Sequence, residues 1–371
     1  MRILYTFRSL AVWGGIERVL VEKMNYLTKM FGYDVYMLTT DQSGHAVPYH
    51  LEDGVHLEDI GIQFYKQYQY SGFQRLWDRW QRTNCFERRL YDRIRQIHPD
   101  VIVCTTADPV YSITKVKGDI PLIVESHSIC SRTLVEKSLR QRLVTKLLLR
   151  GLKHVTYVVA LTESDAVEWH RIHPYVEVIP NLVHLNEGIV ASLENKRVIW
   201  VGRFDYQKRP VEVIMIWQQV FPQHPDWHLD IYGEGEQRQE LEDAVRPLNM
   251  NIHIQRPTEH IFDAYRESSI LVSTSLFEPF GLVIPEAMSC ALPVVAYDSP
   301  YGPASIIEDG ESGYLVQNYD RIAFAEKLSE LMESCTLRHQ MGKKGYAISQ
   351  KYKAESIMPM WDTLFKSVKK K

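Results

Sequence analysis

The stretch MRILYTFRSLAVWGGIERVLVEKMNYLTKMFGYDVYMLTT (residues 1–40) decides the fold class. Ile3–Phe7 and Val35–Thr40 are short, nearly unbroken runs of apolar and β-branched residues, the pattern of strands buried on both faces. Between them Leu20, Met24, Leu27 and Phe31 recur at helical spacing, so one face of the intervening segment is apolar. A strand, a covering helix and a second buried strand form a βαβ unit, whose strands run parallel.

The same rhythm continues outward. Val101–Thr105, Leu122–Ser126 and Tyr157–Leu161 are further strand candidates. It restarts after VEVIPNLVHLNEG (176–188), with Arg197–Val201, Leu229–Tyr232, Asn251–Ile254, Ile270–Thr274 and Val294–Tyr297. Helical patterns over Pro210–Phe221 and Gln237–Val245 separate them. Pro180-Asn181 and Asn186–Gly188 mark a linker. The reading is α/β: two Rossmann-like, doubly wound parallel-sheet domains over 1–184 and 185–352, facing a central cleft. A C-terminal helix over 353–371 is expected to pack back on the first domain.

Composition narrows the function classes. The 371 residues are 45% hydrophobic and 24% charged, with a net charge of −3, which fits a soluble globular chain and gives no footprint for nucleic acid. Five cysteines, Cys85, Cys104, Cys130, Cys290 and Cys335, are scattered without a CxxC pair, as expected of reduced thiols rather than a zinc site or disulfide frame. The N-terminus reads as a strand rather than a leader, and no apolar run is long enough to span a bilayer. The expected location is cytoplasmic.

In open α/β sheets ligands bind where strands end and helices begin. Gly14 and Gly15 follow the first strand, where helix amides can approach an anion. The dinucleotide fingerprint GxGxxG is missing there, which counts against an NAD enzyme. In WVGRFDYQKRP (200–210), Arg203 and Lys208 flank a helix start opened by Pro210, a cation pair suited to a diphosphate. Gly233 and Gly235 make a Gly-x-Gly turn that tight turning alone explains. In SLFEPFGLVIPEAMSCALPVV (275–295), Glu278 precedes a helix and Glu286 lies about one turn into it. Two carboxylates accept hydrogen bonds from vicinal hydroxyls, and amides near Phe280, Gly281 and Leu282 complete a pocket for a sugar nucleotide.

EPFGLVIPE (278–286) resembles the E-x7-E motif of retaining GT-B glycosyltransferases, glycosyltransferase family 4 in particular. GGIERVL (14–20), VIPN (178–181), VGRFDYQKRP (201–210), YGEGEQ (232–237) and EDGESGYLV (308–316) follow the family's order along nearly the whole chain. The resemblance implies an acceptor-binding first domain and a donor-binding second domain. It implies that Arg203 and Lys208 contact the donor diphosphate, that Glu286 takes the ribose hydroxyls, and that Glu278 with the amides of Phe280–Leu282 holds the transferred sugar. Gly14 and Gly15 would border the phosphate and acceptor side. His127, at the end of PLIVESHS (121–128), resembles the family's first-domain histidine near the reacting sugar.

Transfer of a hexose or N-acetylhexosamine with retention is the expected reaction, with no cofactor and no metal, since no D-x-D motif is present. PYGP (300–303) resembles bacterial transferases that use UDP-sugars, and a GDP-mannose-dependent mannosyltransferase is the alternative. Gln255-Arg256-Pro257 departs from the family's glycine near the base and leaves the base open. A sugar-nucleotide epimerase of the same architecture, or a binding protein without catalysis, are the readings from other classes.

Two basic stretches point to an anionic membrane surface and, with the acceptor role that the resemblance implies for the first domain, to a lipid-linked acceptor at its inner face. FQRLWDRWQRTNCFERRLYDRIRQ (73–96) carries Arg75, Arg79, Arg82, Arg88, Arg89, Arg93 and Arg95; RTLVEKSLRQRLVTKLLLRGLK (132–153) carries Lys137, Arg140, Arg142, Lys146, Arg150 and Lys153. Solvated helices packing their leucines on the sheet would read the same way.

Overall fold

The computed structural model describes residues 1–134 and 138–369. Lys137 of the second basic stretch, Lys370 and Lys371 lie outside the described residues, as do the side chains of Leu139 and Arg140. By their contacts the residues form two compact units, Met1–Leu182 with Ile357–Lys371, and Val183–Ser356.

The first unit holds seven strands: β1 (Arg2–Phe7), β2 (Asp34–Thr39), β3 (Val55–Asp59), β4 (Val101–Thr105), β5 (Leu122–Glu125), β6 (Tyr157–Ala160) and β7 (Val176–Val178). Their order in the sheet is β3-β2-β1-β4-β5-β6-β7, and every pairing is parallel. The helix Gly15–Phe31 crosses from β1 to β2 and buries Leu20, Met24 and Leu27 as the spacing requires. The helix Ala354–Lys369 ends in this unit, where Tyr33 hydroxyl donates to the Asp362 carboxylate.

The second unit repeats the plan with β8 (Arg197–Val201), β9 (His228–Tyr232), β10 (Ile252–Gln255), β11 (Ile270–Ser273), β12 (Val294–Tyr297) and β13 (Gly313–Val316). The order is β10-β9-β8-β11-β12-β13, again all parallel. Trp200, Phe204, Trp217, Val272, Tyr297 and Phe324 form part of one buried cluster under this sheet.

Three strands, β3, β7 and β13, are absent from the sequence reading. Each lies at or ends an edge of its sheet. In β3 only Val55 is buried, so it lacks the continuous apolar signature that marks the inner strands. In β7 none of the three residues is fully buried.

Because all strands of a sheet are parallel, their carboxyl ends share one edge. In the first unit this edge carries the loop leading to Gly14 and the loop holding His127. In the second it carries the loops after β8, β9, β11 and β12.

Candidate functional site

The second unit assembles most of the expected residues. After β8 the chain turns through Gly202 and Arg203 to Lys208. Arg209 sits in the left-handed region (φ 54°), before Pro210 opens the helix Pro210–Val220. The loop after β9 explains its own glycines. A Cβ on Gly233 would lie 2.0 Å from the Gly202 carbonyl oxygen, and one on Gly235 2.4 Å from that of Phe204. The Phe204 amide donates to the Glu234 carbonyl at 2.9 Å. The Gly-x-Gly therefore lets two loops pack backbone to backbone.

The loop after β11 is tied to the Lys208 loop at several points. Thr274 hydroxyl donates to the Lys208 and Arg209 carbonyls at 3.0 Å and accepts from the Trp200 indole at 2.9 Å. The Leu276 amide donates to the Gln207 carbonyl at 2.8 Å, and the Gln207 side-chain amide returns a bond to the Phe277 carbonyl at 3.2 Å. These ties bring Lys208 onto Glu278. The Lys208 ammonium donates to Glu278 Oε2, and Ser275 hydroxyl donates to the same oxygen at 3.2 Å. Only 15% of the lysine side chain and 9% of the glutamate side chain are exposed. Lys208 thus meets Glu278 directly, a contact the sequence reading did not foresee. Arg203 points elsewhere: it is exposed, pairs with Asp205 at 3.1 Å and touches Gln207 at 3.4 Å.

Beyond Glu278, Gly281 adopts φ 91°, a left-handed value that glycine reaches without strain. Leu282 caps the seven-residue helix Val283–Ser289, whose first turn is tied back by the Ile284 amide donating to the Gly281 carbonyl at 3.0 Å. Phe280 is buried with its ring against Tyr352. The PYGP loop lies against this turn, since the Gly302 amide donates to the Glu278 carbonyl at 2.8 Å and a Cβ on Gly302 would stand 2.3 Å from the Phe280 carbonyl oxygen. Glu286 is buried inside the helix, and Tyr265 hydroxyl donates to its carboxylate at 3.3 Å.

In the first unit, Gly14 caps the helix Gly15–Phe31 with extended backbone, and a Cβ there would meet the Glu17 carboxylate at 2.0 Å. A carboxylate therefore folds over the helix start where the sequence pointed to an anion. His127 follows β5 with its side chain buried, and its Nε2 lies 3.0 Å from Glu125 Oε2. The other Glu125 oxygen takes the ammonium of Lys23, which is 1% exposed. Burial alone would push the Glu125 carboxyl up, but Lys23 and His127 outweigh it and hold it below the ordinary carboxylate range.

Glu125, Lys23, Ser275 and Tyr265 were missed as site residues. Two of them carried a signal. Glu125 and His127 stand two apart in extended chain, on one side. Lys23 falls on the apolar stripe of its helix, beside Leu20 and Leu27, where a cation needs a partner. Among the described residues no group of three or more His, Cys, Asp or Glu is placed to hold a metal ion. None of the described helices is long and apolar enough to cross a membrane.

Two parallel-sheet units with close-packed loops on their carboxyl edges define a GT-B fold. The "Glycosyltransferase Family 4" model matches residues 13–187 and the "Glycosyl transferases group 1" model residues 187–348. Between them the two glycosyltransferase models match residues 13–348, so each unit of the GT-B fold carries one of them. The amylovoran biosynthesis glycosyltransferase AmsD of Erwinia amylovora is 33% identical over 56% of this chain and 61% of its own length. A GalNAc-alpha-(1->4)-GalNAc-alpha-(1->3)-diNAcBac-PP-undecaprenol alpha-1,4-N-acetyl-D-galactosaminyltransferase of Campylobacter jejuni is 23% identical over 96% of both chains. The chain spans between 21% and 61% of the length of the first curated relatives it matches. In fold it is similar to an S. aureus TarM mutant crystallised with fondaparinux, alpha-GlcNAc-glycerol and UDP, with a TM-score of 0.78 at 15% identity over 98% of this chain and 99% of that one.

Proposed function

We propose that the protein transfers a hexose or N-acetylhexosamine from a UDP-sugar to a lipid-linked saccharide, with retention at the anomeric carbon, in the synthesis of a cell-surface polysaccharide. The observation that carries this reading is the Glu278 carboxylate held by Lys208 and Ser275 beside the Gly281 turn, with Glu286 eight residues on. Both protein donors take Oε2, so Oε1 is the oxygen offered to a hydroxyl of the transferred sugar. Glu286 receives the ribose hydroxyls. Arg203, the exposed cation of the loop, swings from Asp205 onto the diphosphate and stabilises its charge as it leaves, with Lys208 adding to the field.

The bond from the anomeric carbon to the phosphate oxygen breaks first, leaving an oxocarbenium-like sugar. The acceptor hydroxyl adds to that carbon from the same face, and its proton passes to the departing phosphate oxygen. The bacterial polysaccharide role and the undecaprenol-linked acceptor of the relatives support the acceptor class, and the UDP bound to the TarM mutant supports the base.

Thermal shift against a panel of UDP- and GDP-sugars, followed by product analysis with and without acceptor, tests the reading. UDP and UDP-sugars are expected to raise the melting temperature by mass action. A larger rise with GDP-mannose would replace the donor and favour a mannosyltransferase. Conversion of the donor alone into its epimer, with no acceptor needed, would replace the reaction.

The membrane contact is assigned to the helix Gly72–Ile97, on the cytoplasmic face. Several of its arginines are engaged within the protein: Arg82 with Asp78, Arg93 with Glu58, and Arg89 with the Ile60 carbonyl. Its first three turns instead expose Phe73 (79%), Leu76 (65%), Trp77 and Trp80, the two indoles stacked at 5.0 Å. Such rings suit the headgroup boundary of a bilayer. Trp77→Ser with Trp80→Ser is expected to abolish co-sedimentation with phosphatidylglycerol-containing vesicles, while added salt weakens it only in part. Pelleting unchanged by the double substitution removes this assignment.

A further inference from the structure

At the carboxyl edge of the first sheet, His127 is held by groups that the transfer chemistry above does not use. The backbone under it is fixed from both sides: the Glu125 carbonyl accepts from the Thr106 amide at 3.1 Å, and the Ser126 amide donates to the Val159 carbonyl at 2.8 Å. Glu125 sends Oε2 to His127 Nε2 at 3.0 Å and Oε1 to the Lys23 ammonium. Lys23 is walled in by rings, 3.9 Å from the Trp361 centroid and 5.3 Å from that of Tyr5. His127 Nδ1 is buried and reaches no hydrogen-bond partner among the described residues.

A buried ion pair is a weak source of stability, because apolar residues of similar size commonly serve as well. Its presence here is explained by what it does to the ring. A carboxylate only accepts hydrogen bonds, so the nitrogen facing it carries the proton. In a neutral imidazole the other nitrogen then bears a lone pair. Lys23 supplies positive charge that holds Glu125 ionised despite its burial.

We propose that Glu125 is a positioning residue: it locks His127 in the Nε2–H tautomer, so that Nδ1 accepts a hydrogen bond from a ligand hydroxyl, and Lys23 holds the charge balance of the lock. Resting on the transferase reading, the ligand is a saccharide that presents a hydroxyl to this edge of the first unit. Phosphate, which offers no donor when ionised, is excluded as the partner of Nδ1 in this state.

The test uses the full chain. With ¹⁵N-labelled histidine, long-range nitrogen–proton spectra report the tautomer, and His127→Gln assigns the signal among the 14 histidines. The wild-type ring is expected to carry its proton on Nε2, the nitrogen that faces Glu125. An Nδ1–H tautomer or an imidazolium overturns the proposal, whatever the protein catalyses. Lys23→Met with Glu125→Leu exchanges the pair for apolar groups and removes the acceptor. The tautomer preference is expected to disappear, and kcat to fall about ten- to a hundredfold with UDP affinity unchanged. Lys23→Met with Glu125→Gln keeps an acceptor oxygen for Nε2–H and is expected to retain the tautomer and most of the turnover. A folded Met/Leu variant with the wild-type tautomer and turnover also overturns it. If wild-type protein transfers no sugar, the spectra still decide the tautomer, so failure of the transferase reading and failure of the lock are told apart.

Discussion

Glu278→Ala is expected to lower turnover by about two to three orders of magnitude, read as UDP released in the presence of acceptor, while the circular dichroism spectrum keeps its folded form. The carboxylate sits in the loop after β11 with Oε2 bound by Lys208 and Ser275, which fixes the direction in which Oε1 can act. An acceptor fixed before the reaction needs no reorganisation as charge develops at the sugar, and this is where an electrostatic contribution is largest. Arg203→Ala is expected to fall by a similar factor through loss of a charge-assisted contact to the leaving diphosphate. Full activity in both variants would sink the assignment of this loop pair.

The same substitution separates two roles for the carboxylate. Were Glu278 a nucleophile, its oxygen would bond to the anomeric carbon as the phosphate leaves, as in retaining hydrolases with paired carboxylates. Azide added to Glu278→Ala would then enter the vacated space, restore cleavage of the donor and yield a glycosyl azide. Under the positioning role, azide restores nothing. A carboxylate already bound at Oε2 by an ammonium and a hydroxyl favours the second outcome, since both donors draw charge from it and lower the nucleophilicity of Oε1 as well.

The inner strands and the loops that carry the site were legible because both signals are local. Ile3–Phe7 or Val294–Tyr297 announces a buried strand by its own side chains, and Gly281 announces a left-handed turn by its lack of one. What could not be read locally is pairing across the chain. Lys208 and Glu278 are 70 residues apart, and each alone looked like a ligand contact. Lys23 and Glu125 are 102 apart, and only the burial of both explains either. The basic stretch 73–96 has the same limit: Glu58, in an unread edge strand, pairs with Arg93, while Arg88 and Arg95 stay exposed together with the aromatic Phe73, Trp77 and Trp80.

Lys208→Met is the substitution with the largest combined effect. It leaves Glu278 9% exposed at its side chain with only the Ser275 hydroxyl to compensate a full negative charge. Breaking one side of such a pair costs about 3 kcal/mol, so the second unit is expected to melt well below the wild type. Turnover is expected to fall further than in Glu278→Ala, because the lysine serves both the carboxylate and the diphosphate. Lys208→Met combined with Glu278→Gln removes both charges, and stability is expected to return to near wild type because no unpaired ion remains. Activity is expected to stay lost. This divergence is what distinguishes a catalytic pair from a structural one: a double variant that regains turnover together with stability would show that the ion pair only holds two loops together. A single variant as stable as the wild type would show that the Glu278 carboxylate does not depend on Lys208 at all.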